Sequence, residues 1–277
     1  ALVLHLGDLG AREIVLAGET IQISGAGYEP QGQFLRDGRP IEPPESVNRL
    51  LRAAALASDA RIVRDEAEGR WHVQGDPTEG ALVVAAAKAG LRKAEIEKRW
   101  PRVNEIPFTS ETKRMTTLHE GPEGAVAYAK GAPEVIVRSC TRQWTEQGPR
   151  PLDDAGRAAM LAAAQQMAGR ALRVLAAAEK EGAALPDAEQ EMTLLGLVGM
   201  IDPPRPEARA GIQTCEQAGI KTVMITGDHP VTAQAVAREL GLIKTGRVIT
   251  GAELEALEQE DFEKDVEAIE VYARVSP

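Results

Sequence analysis

The chain has 277 residues, a formal net charge of −10 and a pI of about 5.1, and this acidity argues against nucleic acid or an anionic membrane surface as its main partner. Hydrophobic residues make up 43% of the chain, enough for the packed core of one large or two ordinary domains. No apolar run approaches the roughly 18–20 residues that span a bilayer, no signal peptide is visible, and the two cysteines, Cys140 and Cys215, lack metal-ligand spacing and are predicted to be reduced thiols.

The first 36 residues predict a β-meander, because short apolar runs alternate with glycine turns. The predicted strands are Leu2–Leu6, Glu13–Leu16 and Thr20–Ser24. The chain starts at Ala1 without an initiator methionine and stops at Pro277 directly after a predicted strand, so we expect an excised piece of a longer protein.

A helix is predicted over residues 45–59, which are rich in helix formers with an apolar spacing near 3.6 residues. Ala60–Val63 and Trp71–Val73 are predicted to pair as strands. A second helix is predicted over Glu79–Ala89, with Thr78 as its N-cap. An acid in the first turn suits the helix dipole, so ordinary capping competes with a binding role for Glu79.

Phe108 and Lys113 form a candidate binding pair. Phe108 is one of only three phenylalanines, and the lysine follows five residues later. An aromatic ring beside a cation suits a purine base and its phosphates, whereas the commoner alternative is a core phenylalanine with a surface lysine. The charged run before them, Arg92–Trp100, is predicted to be a solvated helix face that Pro101 ends.

Lys130 and Gly131 lie where a predicted strand, Ala125–Ala129, meets a predicted helix, Val135–Ser139. Gly131 would let a ligand approach the backbone, and Lys130 would lie at the mouth of such a site. The alternative is a simple strand-to-helix corner in which Pro133 starts the helix.

Arg173 lies in a predicted buried strand, Gly169–Ala178, which follows a predicted polar loop over residues 141–151 and an alanine-rich helix. It alternates with Leu172 and Val174 and is therefore predicted to point away from the apolar face of the strand. An exposed strand arginine without a ligand would show the same pattern.

A domain boundary is predicted at Asp202–Pro206, a proline-rich stretch that cannot be helical. The apolar run Met192–Ile201 before it predicts a strand of the parallel-sheet type, and strands and helices alternate from there to residue 275. This alternation predicts a parallel sheet with right-handed crossovers.

A phosphoryl-binding turn is predicted at Thr226-Gly227-Asp228. The turn follows a predicted buried strand at Ile220–Ile225 and precedes a helix that ends at Leu240, before Gly241. A small polar turn of this kind presents backbone N–H groups and a hydroxyl to an anion, although any strand–turn–helix unit can carry these residues.

Segments along the chain resemble, in the same order, the P-type cation-transporting ATPases, and most of all their calcium-pump-like branch. The segments are Gly25–Phe34, Gly75–Leu82, Phe108–Met115, Lys130–Glu134, Leu172–Ala176, Asp202–Pro206, Met224–Asp228 and Tyr272–Pro277. The resemblance implies an α/β chain in two parts. An α+β nucleotide-binding domain with a mostly antiparallel sheet and flanking helices would span residues 1–200, and a partial haloacid-dehalogenase-like parallel α/β phosphorylation domain would span residues 201–277.

The resemblance also implies a set of site residues. Glu79 would accept a hydrogen bond from the adenine amino group of ATP. The other implied contacts to the nucleotide are Phe108, Lys113, Lys130, Gly131, Arg173, Asp202 and Arg274, and Thr226, Gly227 and Asp228 would form half of a phosphoryl pocket. Some relatives carry an arginine two residues after the phenylalanine, where this chain has Ser110, so that phosphate contact is not expected here.

The same resemblance sets the expected chemistry and partners. In the family, an aspartate that opens an Asp-Lys-Thr-Gly-Thr string accepts the terminal phosphoryl group of ATP. That string and the Thr-Gly-Asp-Gly-x-x-Asp magnesium site are absent from this sequence. We therefore expect a soluble piece from the cytoplasmic face of a membrane pump, which binds ATP without hydrolysing it. Mg²⁺ would be held mostly outside the chain, and the partners would be the transmembrane and actuator domains. Calcium is the expected cation by branch, with manganese, sodium and magnesium left open.

Two other classes of function remain open. A free-standing haloacid-dehalogenase-type phosphatase would need its own Asp-x-Asp nucleophile after a strand, and this sequence contains none. A non-catalytic interaction module would not explain why the candidate nucleotide-binding residues occur in family order.

Overall fold

The structure, a computed structural model, describes residues 9–275 except 26, 67–68, 202–205, 227–229, 244–246, 259–261 and 264, and except the side chains of residues 206, 207, 231, 232, 235 and 239. The chain divides into two compact units. The larger unit contains residues 8–165 and 174–201, and the smaller unit contains residues 166–173 and 202–277. The predicted strand at Leu2–Leu6 lies outside the described residues, as does the predicted boundary except for its last residue.

The larger unit begins with β1 (Gly10–Leu16), β2 (Glu19–Ile23), β3 (Phe34–Arg36), β4 (Arg39–Ile41) and α1 (Glu45–Leu56). The next elements are β5 (Arg61–Arg64), β6 (Trp71–Gln74), α2 (Pro77–Lys88), α3 (Lys93–Arg99), β7 (Arg102–Ile106), β8 (Arg114–Gly121), β9 (Gly124–Gly131) and α4 (Pro133–Ser139). They are followed by β10 (Cys140–Thr145), β11 (Gly148–Pro151), α5 (Asp154–Gly169), β12 (Arg173–Glu181), a short 3-10 helix (Leu185–Asp187) and β13 (Met192–Ile201).

Most strands of the larger unit form one sheet in the order β4-β3-β2-β1-β13-β12-β9-β8-β7, with β10 and β11 attached beside β13. The pairings described in this sheet are antiparallel except that of β10 with β13. The sheet and its flanking helices confirm the predicted mostly antiparallel α/β architecture of this region. β5 and β6 pair with each other as a separate antiparallel hairpin, as predicted.

The core of the larger unit forms where α1 and α2 pack against the sheet. Val47, Leu50 and Leu51 of α1 are fully buried, which follows from their helical spacing on one face. Ala81 and Ala85 of α2 are also buried, and their short side chains let helix and sheet approach closely. Burial of each valine or leucine side chain in this core stabilises the fold by about 1.5–3 kcal/mol.

Three local predictions for the larger unit are wrong. The N-cap of α2 is Asp76 rather than Thr78, because the Asp76 carboxylate accepts from two backbone N–H groups of the first turn and Pro77 follows it. Residues 141–151 form the hairpin of β10 and β11 rather than a loop, since pairing with β13 overrides their polar composition. The charged helix α3 is not wholly solvated, because Lys93 is 8% exposed.

The smaller unit contains α6 (Pro206–Gln217), β14 (Met224–Thr226), α7 (Pro230–Leu240), β15 (Val248–Thr250), α8 (Gly251–Glu255) and β16 (Val271–Ala273). β14, β16 and β15 pair in that order as a parallel sheet, as the alternation of strands and helices predicts. β13 does not join this sheet, contrary to the prediction, and pairs antiparallel with β1 in the larger unit. A continuous apolar run shows that a strand is buried on both faces but does not show which sheet it enters.

The predicted buried strand at Ile220–Ile225 is also corrected. Only its last two residues belong to β14, and Ile220, Val223 and Ile225 are 57%, 41% and 66% exposed. β14 is an edge strand of the described sheet, whereas the core of the smaller unit gathers around β16, α6 and α7. A short run of β-branched residues cannot distinguish an edge strand from a central one.

Candidate functional site

Lys130 lies at the end of β9 and is 7% exposed. Its ammonium donates a hydrogen bond of 2.7 Å to Glu79 Oε1 and lies 3.4 Å from the Met115 sulfur on the neighbouring strand β8. The β8–β9 register places Met115 directly opposite Lys130, which explains the second contact. The structure therefore brings together two of the predicted site residues, Lys130 and Glu79, as a nearly buried ion pair.

Glu79 is held in place by the start of its own helix and by the chain before β5. Asp76 caps α2, which fixes the first turn that carries Glu79. The second oxygen of Glu79, Oε2, accepts from the backbone N–H groups of Asp59, at 2.6 Å, and Ala60, at 2.9 Å. Both carboxylate oxygens thus have partners, so this acid has a fixed position and a compensated charge.

The backbone of Ala60 is also held by Lys93 of α3, which bonds to its carbonyl oxygen. The Lys93 ammonium donates to the carbonyl oxygen of Ala60, at 2.9 Å, and also to that of Ser58. Burial lowers the pKa of Lys93, with nearby Glu97 acting in the opposite direction. A buried lysine, a loop peptide and Glu79 therefore form one connected network behind the Lys130 side chain.

The backbone at Gly131 lies very close to the backbone at Lys113. A Cβ atom at Gly131 would overlap the carbonyl oxygen of Lys113 and would lie 2.9 Å from the Arg114 Cα atom, so the close approach requires glycine. Lys113 has a φ of 50°, in the left-handed region, and its carbonyl oxygen accepts from the Ala132 N–H at 3.0 Å. Residues 107–113 thus form a loop anchored directly beside the end of β9.

Phe108 projects from this loop and is 58% exposed, so the alternative of a core phenylalanine is wrong. The loop is braced internally, because Thr109 Oγ1 accepts from the Thr112 N–H at 3.0 Å. The Lys113 ammonium is exposed and lies 3.9 Å from the Glu134 carboxylate on α4. An exposed aromatic ring and an exposed ammonium group therefore lie on one short loop.

The remaining predicted residues belong to the smaller unit or lie outside the described residues. Arg173 begins β12, is exposed and is assigned to the smaller unit. Thr226 ends β14, and Arg274 follows the last residue of β16 with a φ of 51°. Because these strands are parallel and in register, Thr226 and Arg274 lie at the same carboxyl edge of the sheet. Asp202, Gly227 and Asp228 lie outside the described residues.

Three contributors to the site were not predicted: Asp76, Met115 and Glu134. The Asp76-Pro77 pair is a detectable N-cap signal in the sequence, and Glu134 lies in the first turn of a helix that Pro133 starts. Met115 carries no such signal, because its contact with Lys130 depends on the strand register.

Metal ligation and the buried Cys140 thiol can be assessed in the part of the chain that the structure describes. No group of three or more His, Cys, Asp or Glu side chains is placed there to hold a metal ion. Burial raises the pKa of the Cys140 thiol to about 12, which disfavours its reactive thiolate form. Among the described residues, no helix has the length and hydrophobicity needed to cross a membrane.

Comparison with known proteins identifies the family. The family model for the P-type ATPase cytoplasmic domain N matches residues 46–207. The chain is 39% identical over 269 residues to a calcium-transporting ATPase of Bacillus subtilis and 41% identical over 273 residues to a probable cation-transporting ATPase F of Mycobacterium tuberculosis. It is also 39% identical over 233 residues to a calcium-transporting ATPase of Bacillus cereus.

These alignments cover 94%, 93% and 82% of this chain, respectively, but only 30%, 30% and 26% of the relatives. The chain belongs to the P-type ATPase family, as its motifs predict, and it spans about 30% of the length of the first two of these relatives.

Proposed function

We propose that this chain is the ATP-binding part of a cation-transporting P-type ATPase on the cytoplasmic side of a membrane, with calcium as the cation. The observation that carries the proposal is the family match across residues 46–207, which include the Glu79–Lys130 pair and the Phe108–Lys113 loop. The names of the relatives in Bacillus subtilis and Bacillus cereus favour calcium over other cations.

The larger unit supplies most of the proposed nucleotide contacts. The exposed ring of Phe108 offers a face on which adenine can stack, and Lys113 on the same loop offers a cation for the phosphates. Lys130 and Glu79 form the polar wall, with Glu79 facing the adenine amino group and Gly131 allowing close approach of the ligand.

Residues 201–277, which make up most of the smaller unit, are proposed to be part of a haloacid-dehalogenase-like phosphorylation domain that follows a nucleotide-binding domain at 1–200. Thr226 and Arg274 lie at the carboxyl edge of its parallel sheet, the edge at which open α/β sheets bind ligands. Thr226, Gly227 and Asp228 would face the transferred phosphoryl group, and Arg173, Asp202 and Arg274 would complete the nucleotide contacts.

This chain alone is proposed to bind ATP without hydrolysing it, because its sequence has no Asp-Lys-Thr-Gly-Thr nucleophile string. Mg²⁺ would accompany the bound ATP, and most of its protein ligands are proposed to lie outside this chain. The transmembrane and actuator domains of the whole pump would be its partners.

Isothermal titration with Mg-ATP tests the proposal. We expect saturable binding with a Kd of about 1 mM or lower, which corresponds to about 4 kcal/mol of binding free energy. Phe108→Ala and Lys113→Ala should each weaken binding about fivefold or more, because each removes a proposed contact to the base or to the phosphates. Both side chains are exposed, so their loss leaves the core intact. Lys98→Ala removes an exposed lysine of α3 and serves as the matched control.

Absence of heat at high ATP concentration would refute nucleotide binding and favour a non-catalytic interaction module. Equal weakening by the Lys98 control would show that only the overall charge matters. Release of inorganic phosphate from a phosphate ester in the presence of magnesium would instead support the phosphatase alternative.

A further inference from the structure

A cavity of about 570 Å³ lies in the larger unit between the β5–β6 hairpin, α2 and α3. Its size is in the range of about 300–1,000 Å³ that is usual for small-molecule pockets. None of its lining residues is among those proposed to contact ATP. Its apolar wall includes Pro30, Val63, Trp71, Val83, Ala87 and Ala94.

The cavity forms because the helices have small side chains where they face it, while hydrogen bonds hold the loop that carries Pro30 in place. Ala87 of α2 and Ala94 of α3 leave space that longer side chains would fill. The loop that carries Pro30 is fastened to the end of α2, since the Lys88 ammonium donates to the Ser24 carbonyl oxygen at 2.9 Å. The same loop is closed by the Gln33 N–H, which donates to Ser24 Oγ at 2.8 Å.

The charges at this cavity are predominantly positive. Arg61, Arg92 and Lys93 line it, and among the described residues of the lining Glu97 is the one acid. The Glu97 carboxylate lies 3.6 Å from Arg61 and 3.7 Å from Lys93, so it is shared between two cations. The guanidinium of Arg92 pairs with Glu95 at 3.6 Å, and exposed pairings of this kind are weak.

We propose that this cavity binds a free aliphatic carboxylate of medium chain length. The apolar wall takes the hydrocarbon chain, because burial removes the apolar surface of the methylene groups from water. The carboxylate meets Arg61 and Arg92, whose guanidinium groups can pair with it in a bidentate manner. Charge complementarity thus selects an anionic amphiphile over a neutral one at a site distinct from that of the nucleotide.

Titration of the chain with sodium decanoate, below the concentration at which it forms micelles, tests the proposal. We expect one saturable site by calorimetry, and a change in tryptophan fluorescence that disappears in Trp71→Phe because Trp71 lines the cavity. Decanol, which has the same hydrocarbon chain without the charge, should bind about fivefold or more weakly, as expected for the loss of two exposed ion pairs.

Three variants separate binding at this site from general effects of charge and hydrophobicity. The double variant Arg61→Gln/Arg92→Gln should reduce decanoate affinity to that of decanol, while Arg39→Gln/Lys98→Gln removes the same charge from exposed positions outside the lining and should change nothing. Ala94→Phe adds a ring at an exposed lining position and should block both ligands, with circular dichroism confirming the fold.

Failure to saturate, equal affinity for decanol and decanoate, or an equal loss in the Arg39/Lys98 control would each overturn the proposal. Because no residue of this lining is assigned to ATP, a negative result here leaves the nucleotide proposal standing, and the reverse also holds.

Discussion

The ammonium of Lys130 and the carboxylate of Glu79 lie 2.7 Å apart, although 51 residues separate them in the chain. Their side chains are 8% and 14% exposed, so this is a nearly buried pair rather than a surface one. Each residue is proposed to contact the nucleotide, yet each already neutralises the other. We therefore expect the exposed Lys113, whose pairing with Glu134 at 3.9 Å is weak, to attract phosphate more strongly than Lys130 does.

Replacing Glu79 by glutamine keeps the shape of the side chain and removes its charge. The Lys130 ammonium would then remain in a poorly solvated position without a counter-charge, and we expect a loss of about 3 kcal/mol in the free energy of unfolding. Urea unfolding followed by tryptophan fluorescence measures this loss, since Trp71, Trp100 and Trp144 all lie in the larger unit.

The matched control for this change is Glu134→Gln. It removes an acid of the same kind from Lys113, but both partners are more than half exposed and 3.9 Å apart. We expect a change of about 0.5 kcal/mol or less. Similar losses in both variants would show that the Glu79–Lys130 pair has no special part in stability.

Gly131→Ala tests whether the close approach of the 107–113 loop to β9 positions the ligand. The added methyl group would overlap the Lys113 carbonyl oxygen, so loop and strand must move apart. We expect a loss of about 1–3 kcal/mol in stability and weaker ATP binding, measured by urea unfolding and calorimetry.

Gly10→Ala is the control for this substitution, because Gly10 also lies in a strand but nothing lies within 4 Å of the position that its added methyl group would take. It should leave ATP affinity unchanged. Unchanged ATP affinity in Gly131→Ala as well would contradict a role for this glycine in ligand approach.

The Lys130–Gly131 corner could be predicted from the sequence because its signals are local. A strand pattern runs into glycine and then into Pro133, and the structure has β9 followed by α4 at that place. The pairing of Lys130 with Glu79 could not be predicted in the same way. It depends on the tertiary arrangement that brings the first turn of α2 to the end of β9, which no local pattern encodes.

Two of the wrong predictions have the same physical origin. Ile220–Ile225 has the composition of a buried strand, yet its neighbours in the described sheet leave it at an edge. Lys93 lies in a charged run but is buried, because two backbone carbonyl groups receive its ammonium. Burial is decided by tertiary packing, so it overrides residue type at both places.

Ser110→Arg should strengthen ATP binding. Ser110 is exposed in the loop between Phe108 and Lys113, where an added guanidinium can reach the same phosphates as the lysine. We expect about a threefold gain in affinity at low salt that shrinks as ionic strength rises, as calorimetry at two salt concentrations would show.

Ser110→Gln is the control, since it adds a polar side chain without charge. A gain of equal size in the glutamine variant would assign the effect to added contact area. No gain in either variant would place the phosphates away from this loop.

His119 predicts a pH dependence of stability in the larger unit. It is 1% exposed, its Nδ1 lies 2.8 Å from the Trp100 carbonyl oxygen, and its Nε2 lies 2.9 Å from Thr117 Oγ1. Burial lowers the pKa of His119 in the folded chain, with the Trp100 hydrogen bond acting in the opposite direction. Between that lowered pKa and the ordinary value of about 6.5, the unfolded chain binds more protons than the folded chain.

Stability contributed by neutral His119 is therefore present above about pH 6.5 and is lost as the pH falls towards the folded-state pKa, with a slope of up to about 1.4 kcal/mol per pH unit. Urea unfolding at several pH values between about 7.5 and 5.5 should show the advantage of the unmodified chain over His119→Gln shrinking as the pH falls. His72→Gln, at an exposed position of β6, should keep the full pH dependence. A constant difference between the unmodified chain and His119→Gln across this range would show that the imidazole is not the group that titrates.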